Sequence, residues 1–135
     1  MKKLLFLSLM VLVLFVSCGN KNTADNNAKT SGEIEKIQKR GKLIVGVFTD
    51  KPPFGFINEK NENDGFDIAL AKQFAKDLLG DENKIEFVPV EAASRVPFLQ
   101  SDKVDIIMAN MTVTPDREKV IDLANPYMKV AIQIL

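Results

Sequence analysis

Histidine and tryptophan are absent from this chain, and cysteine and tyrosine occur once each. Without imidazole, the common zinc, haem, Cys-His and Ser-His-Asp sites have neither ligands nor bases. An excess of charge is also missing: 18 lysines and arginines face 18 aspartates and glutamates. No global field therefore recruits nucleic acid or an anionic surface. The acidic stretch from Asn58 to Asp64 lacks the ligand spacing of an EF-hand. The expectation is a protein with no metal, no cofactor and no nucleic-acid partner. At 135 residues, the length is that of one ordinary domain.

Long apolar runs are scarce. One run, Leu4 to Val16, follows Lys2 and Lys3 and precedes the small residue Ser17, the layout of an export signal over residues 1–17. It is shorter than the roughly 20 residues that a membrane-spanning helix needs. Leu14-Phe15-Val16-Ser17-Cys18 resembles a bacterial lipobox, in which the cysteine is acylated and becomes the new N-terminus. The alternative is an ordinary signal peptide followed by a free thiol. Residues 18–31 are polar and asparagine-rich, without apolar periodicity, so they are expected to form a disordered tether. An anchor with a tether implies an exported domain held at the membrane, facing the periplasm or the cell exterior.

The folded part is expected over residues 32–127. Thr30 and Glu33 fit a capping box for a short helix bearing Ile34 and Ile37, and Gly41 ends it. The continuous apolar run Leu43 to Phe48 suits a strand covered on both faces. Thr49 to Pro53 breaks that strand, and Phe54 to Gly65 reads as a hairpin. Asp67 to Leu79 has Ile68, Ala71, Phe74, Ala75 and Leu78 on one helical face, with Gly80 as its stop. A second strand follows over Lys84 to Val90, then a helix over Ser94 to Gln100 with Ser94 as N-cap. Val104 to Asn110 is a third strand, Pro115 to Val120 a third core helix, and Tyr127 to Leu135 a fourth extended segment. Strands alternating with helices call for parallel pairing, hence an α/β doubly wound sheet.

Ligands of open parallel sheets sit beyond the carboxyl ends of the strands. Asn110 to Arg117 occupies that place: strand-end carbonyls, the hydroxyls of Thr112 and Thr114, and Pro115 at the first helical position. A helix start offers unpaired N–H groups and the positive dipole end, which favour a carboxylate or phosphate. Arg117 adds a planar fork suited to a carboxylate. The plainer alternative is a good helix cap with a solvated arginine. Phe54 and Phe56 are readable either as core plugs or as a ligand platform. Arg95 either holds a second anionic group or faces water.

Taken together, Gly41 to Val47, Pro52 to Phe56, Gly65 to Ala69, Lys103 to Ile107, Thr112 to Arg117 and Pro126-Tyr127 resemble the extracytoplasmic solute-binding proteins of polar amino-acid ABC transporters. The resemblance implies a periplasmic-binding-protein-like, mostly parallel sheet forming a first lobe. Residues 128–135 would begin a crossover strand to a second lobe that the chain lacks. It further implies a monomer that binds a polar amino acid, an acidic one, glutamine or cysteine, and delivers it to a transporter permease. Arg117 and Thr112 would hold the ligand α-carboxylate, and the Asn110 carbonyl its ammonium. Asp50, Lys51 and Phe54 would line the wall, with Lys51 favouring an acidic side chain. Arg95 would read the ligand side chain. A half-cleft is expected to bind weakly or not at all.

Two other readings compete with this one. Some proteins of the fold resemble dehydratases of prephenate-like acids, and such chemistry needs a positioned acid or base. Asp50 and Glu91 are the nearest candidates, in unconvincing surroundings, so no enzyme is expected. The plain alternative is a nonfunctional fragment of a binding protein.

Overall fold

The computed structural model describes residues 24–129, with side chains from residue 32 onward. Strand β1, Leu43–Val47, is the axis of the sheet. Its β-branched run pairs in parallel with β5, Ile85–Pro89, on one side and with β6, Ile106–Met108, on the other. The order β5-β1-β6 places the first strand between two later ones. A parallel neighbour can be reached only by a crossover, and helices supply it.

Side chains of β1 alternate between two apolar layers. Leu43, Val45 and Val47 join Ile37, Ile68, Ala71, Ala75 and Met108 on one face. Phe48, Val90 and Ala109 pack with Phe98 and Ile107 on the other. Gly46 faces this second layer, where a Cβ would run into Ile107. The first layer is roofed by α1, Ala24–Arg40, and α2, Phe66–Leu79, the second by α3, Arg95–Gln100. This is the doubly wound α/β sheet that the alternation of strand and helix predicts. The expected helix stops hold as well: Gly41 and Gly80 have φ of 71° and 77°, and the Gly80 N–H bonds Lys76 O at 2.8 Å.

Several boundaries differ from expectation. Helix α1 starts at Ala24, not at Thr30, so part of the stretch expected to be a disordered tether is helical. Each residue added to an existing helix gains a hydrogen bond, and residues 24–31 contain no proline to stop that growth. Phe74 is half exposed; the covered face of α2 is Asp67, Ile68, Ala71 and Ala75. Between β1 and α2 lies a separate antiparallel ribbon of β2, Asp50–Lys51, β3, Gly55–Ile57, and β4, Asn63–Asp64. After β6 comes a single helical turn, α4, Pro115–Glu118. It stops short of the expected Val120, whose side chain is exposed and finds no core to cover. The extended segment from Tyr127 is not a strand over residues 127–129. The signal peptide, Cys18 and residues 130–135 lie outside the described residues.

Candidate functional site

The ledge begins where β6 ends. Asn110 takes a left-handed conformation, φ 49°, a region that asparagine tolerates better than most residues. The bend carries the chain out of the sheet, so that Asn110, Thr112 and Val113 are exposed. Thr114 caps α4 as expected, with Oγ1 accepting from the Arg117 N–H at 3.4 Å and Thr114 O accepting at 3.0 Å. One turn carries little macrodipole, so the helix start contributes less to anion binding than the sequence implies. The guanidinium of Arg117 compensates. It folds back along the ledge and donates Nη1 to Thr112 O at 2.6 Å.

Arg95 lies beneath this bend rather than in water. It is 8% exposed, with Nη1 donating to Ala109 O at 2.8 Å and Asn110 O at 3.0 Å. Its Nε donates to Ala92 O at 3.1 Å, and the guanidinium lies 5.5 Å from the Phe48 ring centre. So the side chain expected to read the ligand first supports the ledge backbone. It also shares the Asn110 carbonyl expected to take the ligand ammonium, leaving one lone pair there. Burial, and then the charge of Arg117, lower the Arg95 pKa. The two guanidinium groups therefore repel one another, and among the described residues neither forms an ion pair with a carboxylate.

The wall residues stand on the antiparallel ribbon. Asp50 and Lys51 are exposed and pair with each other, and Lys51 Nζ also lies 5.8 Å from the Phe48 ring centre. The pairing offsets the positive charge that Lys51 was expected to offer an acidic ligand. Phe54 is half-buried, and its position is set through main chain. Phe66 N donates to Pro53 O at 3.0 Å and Asp67 N to Phe54 O at 2.9 Å. Gly65, φ 116°, permits this seat, because a Cβ there would collide with the Phe54 carbonyl. A cavity of about 710 Å³ borders Phe54, Asn110 and Thr112 and runs under Tyr127. Arg95, Arg117, Asp50 and Lys51 do not line it, whereas the ledge residues Asn110 and Thr112 do.

The structure also reveals a residue absent from the expected site. Asp67 is fully buried, and its Oδ1 accepts from Tyr127 Oη at 2.9 Å. The signal in the sequence is a carboxylate four residues before Ala71 and eight before Ala75, on the covered stripe of the helix.

Residues 43–135 match the model of the bacterial extracellular solute-binding proteins, family 3. The chain belongs to this family. It is similar to the ABC transporter glutamine-binding protein GlnH of Bacillus subtilis, with 38% identity over 98% of this chain and 50% of that protein. A cysteine-binding protein from Campylobacter jejuni is 59% identical in structural alignment, with TM-score 0.69, over 70% of this chain and 38% of its own. The arginine-bound domain 1 of the binding protein TmArgBP, a Phe57Trp mutant, aligns at TM-score 0.65 and 38% identity over 70% of this chain and 71% of that one. The chain spans about half the length of the curated relatives it matches, 50% and 47% for the first two.

Proposed function

We propose that this family 3 lobe is the substrate-binding component of an amino-acid ABC transporter, and that it captures a polar amino acid by its α-carboxylate. The observation that carries the reading is the ledge itself: two guanidinium groups converge on Asn110 to Arg117 without a carboxylate partner among the described residues. A bound carboxylate would relieve their repulsion, with Arg117 as the bidentate grip and the Thr112 hydroxyl as a second donor. Asn110 O would accept from the ligand ammonium, and Phe54 would form the wall. The order of preference among ligands is cysteine, glutamine, then acidic amino acids. The two relatives that bind cysteine and glutamine support the first two, and the Asp50–Lys51 pair weighs against the third.

In the same reading Cys18 carries the lipid anchor, the protein is exported, and a permease is its partner. The lobe works as a monomer. Against the expectation that a half-cleft binds weakly or not at all, the arginine-bound domain 1 of a relative supports testing this chain as it stands. A thermal-shift series with L-cysteine, L-glutamine and L-glutamate should raise the melting temperature in proportion to the logarithm of ligand over Kd. Arg117→Ala should remove the shift for each of them, a loss of affinity of at least about tenfold from one charge-assisted contact. Retention of the shifts in that variant overturns the carboxylate assignment.

A further inference from the structure

The first turn of α2 gathers the parts of the site that the chain leaves far apart. Its backbone holds the wall, through Phe66 N on Pro53 O and Asp67 N on Phe54 O. Its Asp67 carboxylate holds Tyr127, on the segment leading away from the ledge, at 2.9 Å. The rings of Phe66 and Tyr127 lie 6.0 Å apart, centre to centre. Although Tyr127 is 48% exposed, its hydroxyl reaches a carboxylate with no exposed surface. The second oxygen of that carboxylate, Oδ2, is buried without a hydrogen-bond partner. The nearby Asn110 amide favours the charged form of Asp67 but does not close on Oδ2. A buried oxygen lacking a donor is costly, because it gives up its hydration without a replacement hydrogen bond. The Asn110 N–H belongs to the Ala109–Asn110 peptide, and rotation of this peptide is the movement that would bring a donor toward Oδ2.

We propose that Asp67 is a positioning residue of the amino-acid site, linking the Asn110 peptide to Tyr127 so that occupancy of the ledge is felt on the segment that leaves it. The inference rests on the ligand reading above. A ligand ammonium drawn onto Asn110 O competes there with Arg95 Nη1, which also donates to Ala109 O, the carbonyl of the Ala109–Asn110 peptide whose N–H faces Asp67. A shift of that peptide changes the acceptor that Tyr127 uses. Asp67 touches no ligand in this scheme. It acts through Asn110, Phe54 and Tyr127.

Tyr127 is the only tyrosine and there is no tryptophan, so protein labelled with [13Cζ]tyrosine carries one reporter resonance. L-cysteine, L-glutamine and L-glutamate are titrated separately, with calorimetry in parallel. The expected result is a resonance shift in wild type that follows the calorimetric Kd. Asp67→Asn keeps one acceptor oxygen and loses the other; it should bind about tenfold more weakly, with no resonance shift at saturation. If wild type binds and the Tyr127 resonance stays still, the proposal is wrong while the ligand reading stands. An Asp67→Asn variant with wild-type affinity and response overturns it equally. Should that variant fail to fold, Tyr127→Phe decides: weaker binding supports the link, and affinity within about twofold of wild type ends it. If none of the three amino acids binds wild type, the ligand reading fails, and this inference with it.

Discussion

Strand β1 and the arch from Asn110 to Lys129 carry the two halves of this protein's work, and they are held in opposite ways. In β1, Leu43, Val45 and Val47 are buried, with hydrogen-bonded neighbours on both sides. In the arch most residues are exposed, and order depends on a few polar contacts: Arg95 to Asn110 O, Arg117 to Thr112 O, Tyr127 to Asp67. Packing fixes where the sheet ends. Single hydrogen bonds then fix what the chain presents beyond it. Damage to the first region should abolish the fold, and damage to the second should change the site while leaving the body intact.

The largest effect is expected at Val45, which is 0% exposed within the first apolar layer. Val45→Asp puts a carboxylate among Ile68, Ala71 and Ala75, with no cation to pair it there. An uncompensated buried charge costs more than about 4 kcal/mol. Much of a typical domain's roughly 5–15 kcal/mol disappears with it. Circular dichroism should show loss of cooperative thermal unfolding. A cooperative transition within a few degrees of wild type would mean that β1 is not the axis of the core.

Next in size is Arg95, which belongs partly to both regions. Arg95→Ala leaves the carbonyls of Ala92, Ala109 and Asn110 without the donors they now have. Unsatisfied buried groups cost about 1–3 kcal/mol each, but water entering from the exposed ledge lowers the total to roughly 2–4 kcal/mol. Urea unfolding should show a lower midpoint with an unchanged slope. A change under about 0.5 kcal/mol would assign Arg95 to the ligand rather than to the ledge backbone.

The same contrast explains what the sequence made legible. Leu43 to Val47 has the continuous apolar pattern of a strand covered on both faces, and Gly41 and Gly80 stand where left-handed helix ends need them. Those features depend on neighbours in sequence. The depth of Arg95 depends on the distance between Phe48 and Asn110, two residues that only the sheet brings together, so local pattern left it open between water and anion. Asp67 was visible as a helix start; its hydrogen-bond partner, Tyr127, lies sixty positions away. Thr30 misled because a capping box marks a permitted helix start, and Ala24 to Lys29 continue the helix past it. At Phe74, periodicity gave the right stripe but one residue too wide: Ile68, Ala71 and Ala75 are buried and Leu78 packs against the same cluster, while Phe74 at the margin stays half exposed.

The smallest effect is a slope rather than a loss, and it tests how Asp67 joins body to arch. Burial raises the Asp67 pKa above its ordinary 3.8, against the opposing influence of the Tyr127 hydroxyl and the Asn110 amide. Between the ordinary value and the raised one, the folded chain holds a proton that the unfolded chain has released. Stability from this group is therefore complete below the ordinary value and declines as pH rises through the folded one. Asp67→Asn has no such titration at this position. Its stability relative to wild type, from urea unfolding at a series of pH values, should increase from acid toward neutrality. The opposite trend would mean that the two donors outweigh burial and hold Asp67 charged. Asp67 would then grip Tyr127 and the ledge as a fixed anion, with no cost of ionisation left for a ligand-driven rotation of Asn110 to relieve.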